Sequence, residues 1–260
     1  MGKATEFVVR DNGVAVLTLN RPKALNAFTA DMCDEVPEIC KRVSDDPQIK
    51  ALVITGAGKG FSAGGDITTL AGMKDPIDSK EIYDKSSGAV TAVYEVEKPV
   101  IAAVNGTVAG AATALMMACD LVVASEEARF GFNFVNIAFC PDSGCSYFLN
   151  RKVGYHKALE ILWFGKLLNA LEALELGLVN RVVPKEEVLA QSLKWADKLV
   201  AGPRFTIAMD KKLLRAADSN DFYAQAELEA LYQVLCWSSA DFKEGTMAFI
   251  EKRKPGFIGR

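Results

Sequence analysis

Two stretches of small residues stand where backbone amides, rather than side chains, can do chemistry. They are Phe61-Ser62-Ala63-Gly64-Gly65-Asp66-Ile67 and Asn105-Gly106-Thr107-Val108-Ala109-Gly110-Ala111-Ala112. Each belongs to a strand-loop-helix junction. Phe61 is a large apolar anchor, and Ala63-Gly64-Gly65 lets main chain approach a ligand closely. A helix opening near Asp66 leaves free N–H groups at its start. Two such donors can bind one oxyanion, and a helix dipole behind one of them adds to the field. Tight helix–strand packing explains either run alone; the pairing is what points to an anion. The neighbouring Gly56-Ala57-Gly58-Lys59-Gly60 follows a strand but fits neither GxGxxG nor GxxxxGK[ST], so it reads as a surface turn.

A third candidate is Phe139-Cys140-Pro141-Asp142-Ser143-Gly144-Cys145. Pro-Asp-Ser-Gly is a good turn, and from spacing alone Asp142 reads as the cap of the next helix. Phe132, Phe134, Phe139 and Tyr147 around it outline an apolar pocket or a piece of core.

Other chemistry is excluded. The only histidine, His156, lies near the start of an amphipathic run, where a surface role is expected, and one histidine cannot build a His-rich zinc site. None of the six cysteines forms a CxxC pair, so they are expected as reduced thiols. The balance of 30 Lys+Arg against 33 Asp+Glu argues against a nucleic-acid surface. No apolar run approaches the ~20 residues that span a bilayer. The N-terminal segment lacks a signal-peptide core and reads as mature protein, with the cytoplasm as the expected compartment. The 260 residues are 50% hydrophobic and 24% charged, enough for one substantial core.

The elements that must hold these residues follow from local pattern. Residues 6–10 and 14–19 are β-prone and flank Asn12-Gly13, a hairpin signal. Thr29 caps a helix running to about 44, and 51–55, 100–104 and 121–124 are buried strands. Residues 79–96 read as helix, 56–66 as a glycine-rich loop, and 106–118 as a loop turning into a helix. Strands alternating with helices argue for parallel βαβ units. From about 155 the pattern is mostly helical, with one strand near 178–183 and breaks at Pro203, Asn220-Asp221 and Ser238-Ser239. The expected division is an α/β core over residues 1–200 and a helical segment over 201–260, without internal repeat.

Taken in order, these residues resemble the enoyl-CoA hydratase/isomerase (crotonase) superfamily. The resemblance runs through Val16-Leu17-Thr18-Leu19-Asn20-Arg21-Pro22-Lys23-Ala24-Leu25-Asn26-Ala27 and the 61–67 run. It continues in Lys98-Pro99-Val100-Ile101-Ala102-Ala103-Val104-Asn105-Gly106, Cys119-Asp120-Leu121 and Gly177-Leu178-Val179-Asn180-Arg181-Val182-Val183-Pro184. It implies an α/β fold with a ββα spiral, a C-terminal helical trimerisation region, and a homotrimer or homohexamer. It also implies an acyl-CoA thioester as substrate, with no metal and no further cofactor. By position, the backbone N–H groups of Gly65 and Ala111 form the oxyanion hole, the second in place of the family's usual glycine. The loop around Lys23 and Ala24 and the backbone of Ala63, Gly64, Asp66 and Ile67 hold the adenine and pantetheine. Phe249 and Lys252-Arg253-Lys254 resemble a tail that reaches the CoA phosphates.

The resemblance also separates branches. The two glutamates of the family's hydratases fall on Ala114 and Phe134, which cannot transfer protons. The dehalogenase branch needs a histidine in the helix before Lys98-Pro99, where this chain has Thr91-Ala92-Val93-Tyr94. The Pro141-Asp142 segment instead looks like the branch of Δ3,Δ2-enoyl-CoA isomerases and the ring-opening isomerase of phenylacetate degradation, in which this carboxylate is the base. Phe134 and Phe139 then flank the acyl group. The expectation is a 3-enoyl-CoA isomerase. Aryl-epoxide-CoA to oxepin isomerisation, an atypical hydratase and a non-catalytic acyl-CoA binder are the alternatives.

Overall fold

The alternation of short apolar runs with amphipathic stretches resolves into two sheets wound by helices. The structure, a computed structural model, describes residues 4–72 and 75–260. Met1, Gly2 and Lys3, the start of the segment read as mature protein, lie outside the described residues. β1 (Thr5–Val9) and β2 (Val14–Leu19) pair antiparallel across the Asn12-Gly13 turn, where the Asn12 side chain accepts from Val14 N at 3.2 Å. β3 (Ala51–Gly56), β5 (Val100–Val104), β7 (Leu121–Ser125) and β10 (Arg181–Val183) continue the sheet in parallel, in the order β1-β2-β3-β5-β7-β10. Every residue of β3 and β5 is buried, because helices cover both faces. Leu52, Ile54, Ala102 and Val104 face the main core; Ala51, Val53, Ile101 and Ala103 face α8 (Val188–Val200).

Local pattern alone does not show the second sheet, which the ββα spiral of the resemblance carries. β4 (Gly60–Ser62), β6 (Thr107–Ala109), β8 (Arg129–Gly131) and β9 (Leu167–Asn169) follow one another in it, the first three parallel and the last antiparallel. β4 and β6 fall inside stretches whose composition reads as loop. Three residues are too few for a period of two to register, and pairing with neighbours overrides the low strand propensity of glycine and alanine. The chain thus visits the six-stranded sheet, then the four-stranded one, then a helix. It does so three times, through β3-β4, β5-β6 and β7-β8.

The helices follow their caps. Thr29 caps α1 (Ala30–Asp45) by accepting from Met32 N, and Met32, Val36, Cys40 and Val43 give it one buried stripe. α2 (Ile67–Gly72) is a single short turn-and-a-half. α3 (Pro76–Glu95) starts three residues before the expected 79, because Asp75 caps it by accepting from Ile77 N at 2.7 Å. α4 (Ala111–Ala118) is buried at all eight positions. α5 (Cys145–Val153) packs on α4, α6 (Tyr155–Trp163) on α5, and α7 (Ala170–Glu175) on β8 and β9, with His156 exposed in the first turn of α6. Residues 204–250 hold α9 (Arg204–Ala216), α10 (Phe222–Trp237) and α11 (Ala240–Ile250). The six thiols are unpaired. Among the described residues no helix is long and apolar enough to cross a membrane, and no three His, Cys, Asp or Glu side chains cluster to hold a metal.

Candidate active site

Pairing of β4 with β6 decides what the two small-residue stretches do. Gly60 lies opposite Thr107 and Ser62 opposite Val108, so residues 63–65 and 109–111 leave the sheet side by side. The approach is close enough to forbid side chains. A Cβ on Gly64 (φ +80°) would stand 2.4 Å from the Ala109 carbonyl oxygen and 3.0 Å from the Ala111 nitrogen. Gly110, with φ +54° and ψ −135°, turns the chain into α4 in a conformation reserved for glycine. Among the described residues neither the Gly65 nor the Ala111 N–H donates to a protein acceptor. Ala111 opens α4, whose dipole therefore points at the same spot.

Asn26 holds this arrangement from beneath. Buried at φ +55°, it accepts from Arg21 N at 2.8 Å and donates to Ala57 O and Gly60 O at 2.9 Å and Phe61 O at 3.1 Å. The Ser62 hydroxyl donates to Asn26 O at 2.7 Å, and Phe28 N donates to Gly64 O at 2.7 Å. The loop after β2 is thus tied to the loop around β4 along most of its length.

A cavity of about 180 Å³ opens at this junction, and Ala63, Gly65, Asp66, Ile67, Ala111, Phe134, Phe139 and Asp142 all line it. Lys23 and Ala24 lie apart, in the exposed turn Pro22–Ala24, and Gly64 sits behind the wall as the spacer between the strands. Phe132 is core, and Tyr147 is on the surface, where its hydroxyl donates to Asp218 at 3.2 Å and its ring carries Arg151. Neither belongs to the pocket the sequence outlined. Three larger clefts among the described residues, of about 490, 880 and 390 Å³, are lined by none of Gly65, Ala111 and Asp142. In the first, Asp120 is engaged by Lys211 at 2.6 Å and Arg215 at 3.5 Å.

The structure disposes of the cap reading of Asp142. α5 begins after Gly144 with no side-chain cap, and Cys145 N donates to the backbone carbonyl of Asp142 instead. The Asp142 Oδ1 is buried without any hydrogen-bond partner. Burial pushes its pKa up, only partly offset by its own amide and the Ser143 hydroxyl. The other acid on the wall is held the opposite way. Asp66 accepts from the Thr68 hydroxyl at 2.6 Å and from Arg21 at 3.4 Å, which lower its pKa and keep it ionised. Cys33 also lines the cavity, but burial raises its thiol to about 11, which removes it as a nucleophile.

Several lining residues escaped sequence reasoning. Ile82, Tyr83 and Ser86 come from α3, with Tyr83 and Ser86 three residues apart on one face. Ser86 shares a hydrogen bond of 3.0 Å with Ser143, which takes φ +51°. The available signal was the presence of Tyr83 and Ser86 at helical spacing with the core residues Ala89, Val90 and Val93. In the C-terminal basic run, Arg253 is engaged by Glu244 at 2.6 and 2.9 Å and by Glu251 at 2.6 Å.

An amide pair and an unpaired acid in one cavity can polarise a carbonyl and move a proton beside it. The family model of enoyl-CoA hydratase/isomerase matches residues 9–260. The chain belongs to this family. Within the enoyl-CoA hydratase/isomerase family it is similar to the 1,2-epoxyphenylacetyl-CoA isomerase of Escherichia coli strain K12, 35% identical over 98% of this chain and 99% of that protein. It is 35% identical to the crotonyl-CoA hydratase of Syntrophomonas wolfei, over 96% of each. Among solved structures, the enoyl-CoA hydratase of Bacillus anthracis superposes with a TM-score of 0.94 at 27% identity, covering 99% of this chain and 100% of that one. That of Mycobacterium smegmatis does so with 0.93 at 30%, covering 98% of each. The α/β fold, with its two wound sheets, is therefore that of the crotonase family.

Proposed function

We propose that this protein is an acyl-CoA isomerase that moves a proton through Asp142 while Gly65 and Ala111 stabilise an enolate. The supporting observation is the Asp142 carboxyl, whose Oδ1 is buried without a hydrogen-bond partner, in the cavity that the two free amides also line. The α-proton of a thioester is weakly acidic. Two amides on the carbonyl oxygen offset part of that cost, each worth roughly 3–4 kcal/mol in a closed site. Asp142 takes the C2 proton of a 3-enoyl thioester, charge spreads to C4, and the same carboxyl returns the proton there. The product is the conjugated trans-2-enoyl thioester.

Relatives named as hydratases raise water addition as a rival. Against it, Ala114 is buried in α4 and Phe134 presents a ring to the cavity, so neither position carries a proton. A second isomerisation is favoured by one observation, the 35% identity to a protein named 1,2-epoxyphenylacetyl-CoA isomerase. It uses the same acid and the same amides on an aryl-epoxide thioester. Lys23 and Ala24 are proposed to bind the CoA moiety outside the cavity, and the chain to assemble as a trimer or a pair of trimers.

The test is spectroscopic. Incubation with trans-3-hexenoyl-CoA is expected to produce the ultraviolet absorbance of a conjugated thioester. Asp142→Asn is expected to lower that rate by about 10²–10⁴ while CoA-thioester affinity persists. Full activity in this variant would overturn the assignment of the base; affinity without any absorbance change in the wild type would make the protein a binder.

A further inference from the structure

We propose that the Tyr83 hydroxyl donates a hydrogen bond to an acceptor oxygen carried by the acyl group, so that the preferred substrate is an acyl thioester bearing an ether- or epoxide-type oxygen rather than a plain hydrocarbon chain. The inference rests on the reading that the acyl group occupies this cavity. Tyr83 reaches the wall from α3, with its ring 6.1 Å from that of Phe139. Its hydroxyl is enclosed and has no hydrogen-bond partner. The one other buried side-chain oxygen left so among the described residues is Asp142 Oδ1, and the two do not satisfy each other.

Other polar side chains on the wall are engaged, Ser86 with Ser143, Asp66 with Thr68 and Arg21, and Lys85 with Asp34 at 2.9 Å, while Thr69 and Asn133 are exposed, so the Tyr83 hydroxyl is the enclosed donor. Burial, and then the charge of Asp142, hold the phenol protonated, so it is a donor in want of an acceptor. A hydrocarbon acyl chain brings one oxygen, on the thioester carbonyl, and the two amides claim it. Such a chain offers the phenol no acceptor of its own, whereas an acceptor oxygen farther along the acyl group satisfies it. Sites with a polar group of this kind discriminate strongly against the analogue that lacks the matching atom.

The probes are a matched pair that cannot isomerise, cyclopentylacetyl-CoA and (tetrahydrofuran-2-yl)acetyl-CoA, which differ by one CH₂ replaced by oxygen. Calorimetric titration of Tyr83→Phe is expected to weaken the oxygen-bearing ligand about tenfold and to leave the carbocycle within about twofold. The thermal midpoint should not fall, because the deleted hydroxyl has no partner. Equal changes for both ligands, no change for either, or no binding of either by the wild type would overturn the proposal. The same titration with Asp142→Asn, beside the turnover assay, separates the two claims. Lost turnover with an affinity ratio that Tyr83→Phe does not alter sinks this inference alone. A ratio that responds to Tyr83→Phe without any wild-type turnover sinks the isomerase reading alone.

Discussion

Asp66 and Asp142 line one cavity, yet hydrogen bonds from Thr68 and Arg21 lower the first and burial raises the second. The divergence supports the proposed roles: the acid pushed down stays ionised as part of the wall, and the acid pushed up is the stronger base of the two. If Asp142 is the base, kcat/KM must fall on the acid side as its carboxylate protonates. That limb is expected above the ordinary aspartate range, and a limb at or below that range would remove Asp142 from the role. Folding carries the same shift with a definite sign. The folded state holds the Asp142 proton more tightly than the unfolded chain does, so stability is lost as pH rises through the raised value. Asp142→Asn should therefore melt higher than the wild type at neutral pH, with the difference vanishing at low pH; an unchanged or lower midpoint at neutral pH would contradict it. Spacing alone offered a cap for Asp142, and the resemblance supplied the base. What the sequence hides is that Cys145 N finds a backbone carbonyl instead, leaving the side chain free. Tyr83 was invisible for a related reason: a tyrosine on a buried helix stripe looks like core until the void beside it is known.

The elements that position the amides are shorter than any pattern window. β4, β6 and β8 have three residues each, and their pairing, not their composition, makes them strands. The long apolar strands, the Asn12-Gly13 hairpin and the Thr29 cap were legible because each carries several agreeing signals over enough residues. The two glycines of the junction make the difference testable. Gly110→Ala meets nothing closer than the Ala63 carbonyl oxygen at 3.8 Å, so its cost is backbone strain alone, about 1–3 kcal/mol. Gly64→Ala carries similar strain and also drives a methyl group into the Ala109 carbonyl oxygen at 2.4 Å, on the chain that presents the Ala111 N–H. Denaturant titration should show Gly64→Ala as the more destabilised of the two, and kinetics should show a lower kcat for it at temperatures where it is folded. Equal stabilities, or a Gly64→Ala enzyme with wild-type kcat, would mean that this contact does not set the amide pair.

Three passes of strand, strand and helix build the molecule, and no sequence repeat accompanies them, because each pass needs only a burial pattern and not an identity. The first and second passes deliver one amide each, and the loop after the third delivers Asp142, so the site requires the whole spiral to be wound. The C-terminal helices answer to a different demand. None of the sixteen residues of α10 is buried, and Leu231, Val234 and Leu235 form an exposed stripe at helical spacing, with Phe222, Tyr223 and Trp237 exposed along the same helix. A monomer rarely leaves so much contiguous apolar surface in water, so the proposed assembly has a face available to it. Sedimentation velocity at micromolar concentration should give a multiple of the chain mass. Leu231→Glu combined with Leu235→Glu should shift it toward the monomer while circular dichroism keeps the helical signal. A wild-type protein that sediments as a monomer, or a double variant with an unaltered assembly, would leave α10 outside the interface.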